Sequence, residues 1–177
     1  MAADPFETMG VEARFGLDLK ALEQRHRDLS KALHPDRYAG APAAERRLAL
    51  GRAIDVNEAF RALRDPIRRA EALVRKAGVP VGEVAEPKPP PALLMDMMEA
   101  REELSEAGRA KDLGRVTSLG EGMRAREREV EARLARQFDE AGLDPALVAK
   151  VLPSLGELRY MRRFLDEVAA LEEELAP

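Results

Sequence analysis

Two histidines, His26 and His34, stand eight residues apart in a chain that has no cysteine. A helix that chelates a metal through histidines needs them at i and i+4, one above the other, so this spacing does not make a metal pair. Without cysteine there is no thiol nucleophile, no disulfide and no Cys-ligated zinc or iron–sulfur site in the chain. No Ser–His–Asp set, P-loop or GxGxxG loop occurs. Glutamates are plentiful, but a carboxylate dimetal centre in a helical bundle needs two Glu-x-x-His pairs, and the chain does not have them. The residues thus point away from catalysis, and no cofactor or metal is expected. What remains is His34-Pro35-Asp36, three polar or rigid residues in a row. Pro35 disfavours α geometry at His34 and ends any helix there. Asp36 is then carried on a stiff turn. Each of the three suits a turn on its own account, so the tripeptide reads either as punctuation or as a contact surface. In a chain of this length it occurs by chance on the order of one time in a hundred.

The elements around the turn decide what it can do. Asp18 is a plausible N-cap for a helix over 18–33, in which Leu19, Leu22, His26, Leu29 and Leu33 mark a core stripe at 3,4,3,4 spacing. A second helix is predicted over about 43–64, with Ala49, Ala53, Val56, Phe60 and Leu63 on its inner face. Two such helices pack antiparallel as a hairpin with the 34–36 turn at its tip. Asp65, Pro66 and Gly78 bracket a third helix over 64–78, and 4–11 reads as one short helical turn. The helix before the turn carries Lys20, Arg27 and Lys31, with Gln24, on the face opposite its core stripe, and Arg25 flanks them. Such a run is either a solvated face or, beside an exposed aspartate, a docking surface for an acidic partner.

Composition agrees with an all-α chain. Ala, Leu, Glu and Arg dominate, aromatics are 4 % and Trp is absent, so the core is aliphatic. At 79–91 five prolines and one glycine fall in thirteen residues, which no helix tolerates. This stretch is read as a linker between a module over 1–78 and one over 92–177. Each is near the small end for an independent domain, and a shared interface is expected. The second module shows three helical stretches, about 91–107, 111–141 and 144–175, expected to form a three-helix bundle. In the last, Val151, Leu155, Leu158, Leu165, Val168, Leu171 and Leu175 form a near-heptad stripe. Gly108, Gly114, Gly120 and Gly122 are expected to weaken the start of the middle helix. The formal net charge of −4 carries no basic excess for nucleic acid. The first ten residues, MAADPFETMG, show neither a basic n-region nor an apolar h-region, so no secretory leader is expected. No stretch long enough to span a membrane is seen. A cytoplasmic location is the resulting expectation.

In PALLMDMMEAREELSEAG, residues 91–108, Leu93, Met97, Ala100, Leu104 and Ala107 take the core spacing. Leu94, Met95 and Met98 lie at or beyond the edge of that stripe, among Glu99, Glu102, Glu103 and Glu106. Over 91–107 there are five acidic residues against one basic. The pattern fits a wide core stripe with a solvated acidic face. It equally fits an apolar contact patch rimmed by carboxylates for a basic, partly hydrophobic partner. Tyr160 on the last helix is open in the same way, core edge or contact.

The sequence from PFETMGV through the basic helix, HPDRY and VNEAFRALRDPIRRAEAL resembles a J domain, the module by which DnaJ-type co-chaperones engage Hsp70-class ATPases. The resemblance implies that His34, Pro35 and Asp36 signal ATP hydrolysis in the partner, with Lys20, Arg25, Arg27 and Lys31 as a supporting basic surface. Arg37 stands where lysine is commoner and keeps the charge. The order of J domain, Pro-rich break, LLMDMMEAREEL and a final LRYMRRFLDEVAALEEEL resembles the HscB-like J-type co-chaperones of iron–sulfur cluster biogenesis. That resemblance implies an HscA-like Hsp70 partner and an IscU-like cluster scaffold bound by the C-terminal bundle, through Leu94, Met95, Met98, Glu99, Glu102 and Tyr160. Met98 replaces a leucine usual there. The alternative is a general J-domain co-chaperone whose bundle holds a client unrelated to iron–sulfur chemistry. The expected fold is therefore all-α, a J domain joined by a Pro-rich linker to a three-helix bundle, and not an enzyme.

Overall fold

Aspartates open most of the helices. In the computed structural model, which describes residues 3–82 and 89–176, Asp4 caps α1 (Pro5–Met9) and Asp18 caps α2 (Leu19–Ala32). Asp65 caps α4 (Pro66–Lys76) and Asp112 caps α6 (Leu113–Ala141). Asp144 caps the short α7 (Pro145–Val148). In each case a carboxylate oxygen accepts a hydrogen bond from an N–H that the first turn leaves without a backbone partner. The Asp18 Oδ1 to Lys20 N–H bond, at 2.9 Å, is typical. α3 (Ala43–Arg64) and α5 (Pro91–Arg109) lack such a cap. Both begin beside proline, whose fixed φ suits a helix start. Gly10 ends α1 in the left-handed region, at φ 63°. Among the described residues every regular element is helical.

Helices α2 and α3 form the expected hairpin, with α1 and α4 closing its inner side. Phe6, Met9, Leu22, Val56 and Leu63 fill the space between them. His26 joins this packing. Its ring stacks on Phe60 with centroids 4.1 Å apart, and Nε2 lies 2.8 Å from Asn57 Oδ1. Leu19 departs from the expected stripe: it occupies the first position of α2, beyond the packed span, and is exposed.

The second half is an up-down-up bundle of α5, α6 and α8 (Leu152–Leu175). The single helix expected over 144–175 is broken into α7, a 3-10 turn (Ala149–Val151) and α8. Pro153 explains the break. It has no N–H for the carbonyl of residue 149, so the chain tightens before α8 begins. Met161 and Phe164 are fully buried although the near-heptad pattern omits them. α8 is packed on α5 and α6 and also receives α4, so more of its circumference is covered than a two-sided seam requires. Gly120 does not act as a weak point. It is buried, and a Cβ there would sit 2.8 Å from Val168 Cγ1, so the missing side chain is what lets α6 and α8 approach.

One hydrophobic cluster runs from Phe6 to Val168 through both halves. The ring of Phe15, in the α1–α2 loop, stacks on Phe138 of α6 with centroids 5.6 Å apart. Of the expected linker over 79–91, residues 83–88 lie outside the described residues. No helix among those described is long and apolar enough to cross a membrane.

Candidate functional site

Leu33 ends α2, and His34 turns extended at φ −61°, ψ 134°, as a residue before proline must. Residues Pro35–Tyr38 follow as one 3-10 turn. The side chains of His34 and Asp36 are 59 % and 89 % exposed. The Asp36 N–H donates to His34 Nδ1 at 3.4 Å when that nitrogen is unprotonated. The same nitrogen lies 3.4 Å from Asp36 Oδ2. The bend thus orders itself locally while its carboxylate faces solvent. No internal cation holds Asp36 among the described residues.

Lys20, Arg27 and Lys31 lie exposed along α2, and Arg27 is steadied by two bonds to Gln24 Oε1, from Nε at 3.2 Å and Nη2 at 2.8 Å. Arg25 has a second occupation. Its Nε donates to the carbonyl of Met9 at 3.2 Å, and its guanidinium lies over Gly10, where a Cβ would come within 3.0 Å of Nη2. It ties α1 to α2.

On α5 the structure separates two sets of side chains that the sequence leaves intermixed. Met97, Leu104 and Ala107 are buried, while Leu94, Met95 and Met98 are 39 %, 61 % and 71 % exposed. Asp96 and Glu103 turn towards α6, pairing with Arg126 at 3.2 Å and Arg115 at 2.5 Å. Glu99 and Glu102 stay exposed beside the methionines. The Arg101–Glu167 pair, at 2.8 Å, sets α5 and α8 in parallel register. Tyr160 is half-buried against the core, with the Arg163 guanidinium carbon 5.8 Å from its ring centroid. Five of the six residues expected on this face lie exposed on α5, and the sixth, Tyr160, lies on α8.

A second constellation was not legible in the sequence. Arg162 on α8 donates through Nη1 to Asp65 Oδ2 at 2.9 Å and through Nε to Glu127 Oε1 at 3.3 Å. Although burial works against its charge, the hydrogen bond and attraction of Asp65, with Glu127, hold its pKa above the ordinary guanidinium value. Arg159 Nη2 donates to Glu71 Oε1 at 2.5 Å. Arg69 is buried, bonds the Leu63 carbonyl at 3.1 Å and lies 4.6 Å over the Phe15 ring. Burial pushes the Glu131 carboxyl up, and Glu127 adds to this while Arg69 and Arg162 oppose it. The sequence signal is slight: arginines three apart, 159 and 162, in a helix whose other inner positions are apolar apart from Ser154. Among the described residues no group of three or more His, Cys, Asp or Glu side chains is placed to hold a metal.

Comparison with known proteins places this architecture. A family model described as the HSCB C-terminal oligomerisation domain matches residues 89–169. The co-chaperone protein HscB homolog of Bordetella avium is 38 % identical over 173 residues, covering 97 % of this chain and 99 % of that protein. That of Aromatoleum aromaticum is 37 % identical over 170 residues, covering 96 % of each. Chaperone HscB from Vibrio cholerae superposes with a TM-score of 0.83 at 28 % identity, covering 98 % of this chain and 99 % of its own. The crystal structure of human co-chaperone protein HscB gives 0.83 at 20 % identity, covering 95 % and 81 %, a likeness of fold. Hairpin, bend and bundle together define a class, the co-chaperones with an N-terminal J domain and a C-terminal helical bundle. Within that class the chain belongs to the HscB family, the iron–sulfur cluster assembly co-chaperones that its sequence resembles.

Proposed function

We propose that this protein stimulates the ATPase of an HscA-like Hsp70 chaperone through His34-Pro35-Asp36 and delivers to it an IscU-like iron–sulfur scaffold held on the bundle. It performs no catalysis of its own and works in the cytoplasm. The observation that carries the reading is the bend: a carboxylate 89 % exposed, on a turn stiffened by proline, at the tip of a hairpin in an HscB-family chain. Such a group gives a charge-assisted hydrogen bond to an arginine of the partner. Binding one nucleotide state of the ATPase better than another shifts its equilibrium, which is allostery in trans. Losing one partner of an interfacial charge pair typically costs about 2–5 kcal/mol, enough to abolish the effect. Lys20, Arg27 and Lys31 supply attraction that salt weakens, and Arg25 adds its charge at the edge. Leu94, Met95, Met98, Glu99, Glu102 and Tyr160 form the scaffold-binding face. Its exposed thioethers adapt to a partner surface, and its carboxylates select a basic rim. The general J-protein alternative is set aside because the family likeness continues through the bundle.

The test is single-turnover ATPase stimulation of the cognate chaperone, with and without scaffold. His34→Gln is expected to keep the wild-type melting temperature and lose stimulation. Stimulation retained by a folded His34→Gln protein overturns the reading.

A further inference from the structure

Sulfur is unevenly placed in this molecule. The chain has no cysteine and no tryptophan, so its thioethers are the side chains that a mild oxidant meets first. Of the seven methionines, Met1 lies outside the described residues. Met9, Met97, Met123 and Met161 are buried, none more than 4 % exposed. Met95 and Met98 are 61 % and 71 % exposed. They stand three apart on α5, so they are neighbours on one helix face. Met97 lies between them in sequence and is 3 % exposed, in the core. One short stretch of helix thus offers two thioethers to solvent and withholds a third. The fold does not call on the exposed pair, since neither belongs to the hydrophobic cluster nor packs against it.

We propose that Met95 and Met98 form a redox-modification site, in which a peroxide converts the two thioethers to sulfoxides and so closes the apolar patch to its partner until a thiol-dependent reductase restores it. This inference rests on the functional reading above for the identity of that partner. The reaction balances with the peroxide alone. A sulfur lone pair attacks one peroxide oxygen, the O–O bond breaks, and the departing hydroxide takes up the proton left on the transferred oxygen and leaves as water. Sulfur loses two electrons and the peroxide gains them. Two thiols of a sulfoxide reductase reverse the step, giving thioether, water and a disulfide. A sulfoxide is polar and chiral, and it no longer fills an apolar interface as a thioether does. Desolvating a polar group without a hydrogen-bond partner weakens binding by roughly tenfold to a hundredfold. The modified side chains already lie in water, so the fold is unchanged by their oxidation.

The test treats the full-length protein with dilute hydrogen peroxide and maps it by peptide mass spectrometry. Sulfoxide is expected at Met95 and Met98 at least about tenfold faster than at Met9, Met97, Met123 or Met161. The oxidised protein is expected to keep its melting temperature and to bind the cognate scaffold at least about tenfold more weakly in calorimetric titration. Sulfoxide reductases for both epimers, with a thiol donor, are expected to restore the affinity. In Met95→Leu/Met98→Leu, compared with its own untreated sample, peroxide is expected to change binding by less than about twofold, because no exposed sulfur remains on the patch. Met97 oxidised as fast as its neighbours, undiminished or unrestored affinity in the wild-type protein, or an equal loss in the leucine variant each overturns the proposal. If the untreated protein binds no scaffold, the functional reading falls and the release with it, while the peptide map still decides whether the pair is a selective oxidation site.

Discussion

At the residue scale, four carboxylates and three guanidinium groups share the contact between the halves: Asp65, Glu71, Glu127 and Glu131 with Arg69, Arg159 and Arg162. The surplus falls on Glu131. Burial raises its pKa from the ordinary 4.5, with Glu127 assisting. A carboxyl raised on folding stabilises fully below its unfolded value, and that contribution is lost as pH climbs through the folded value. At neutral pH the Glu131 charge is therefore a net cost. Glu131→Gln is expected to raise the melting temperature at pH 7, by a small amount because solvent screens a half-exposed group. The gain should shrink towards pH 4, which thermal melts across that range will show. A lower melting temperature at pH 7 would mean that Arg69 depends on this anion. His34-Pro35-Asp36 could be read directly from the chain, because a rare order of residue types sits where proline must end a helix. The arginines could not. Arg69, Arg159 and Arg162 look like ordinary solvated charges until folding brings the two halves together.

At the scale of elements, capping and periodicity were enough to find almost every helix. The expected 43–64 matches α3, and the expected 111–141 ends where α6 does, at Ala141. What periodicity misses is how close two helices come. Gly120 reads as a flaw in α6 and is instead its contact with α8. Gly120→Ala gains about 1 kcal/mol in helix propensity but meets Val168, and overpacking costs about 1–3 kcal/mol. A net loss in denaturant melts is expected. Gly122→Ala, with nothing within 4 Å of its Cβ, should instead gain up to about 1 kcal/mol. The same measurement tests both. The exposed face of α5 is argued at this scale too. Replacing Leu94, Met95 and Met98 together by Ala is expected to leave the melting temperature nearly unchanged, because these side chains are already wet. It should weaken scaffold binding at least tenfold, as loss of apolar anchors does, measured by calorimetric titration. If the triple variant unfolds, the three residues are structural and the scaffold face lies elsewhere.

At the scale of the molecule, an all-helical, two-part chain was legible from composition and from the proline-rich break. The small size of each half also pointed to a shared interface, but its Phe15–Phe138 contact was not legible, because the two lie far apart in sequence and neither lies on a stripe that announces the other. Continuous packing across the break leads to cooperative unfolding, since neither half can melt without exposing apolar surface of the other. It also changes what the stretch between the halves has to do. Where two bodies are gripped by the faces they present to one another, the thread between them is a leash. Drift in its composition costs little, and natural selection is left to watch the grip.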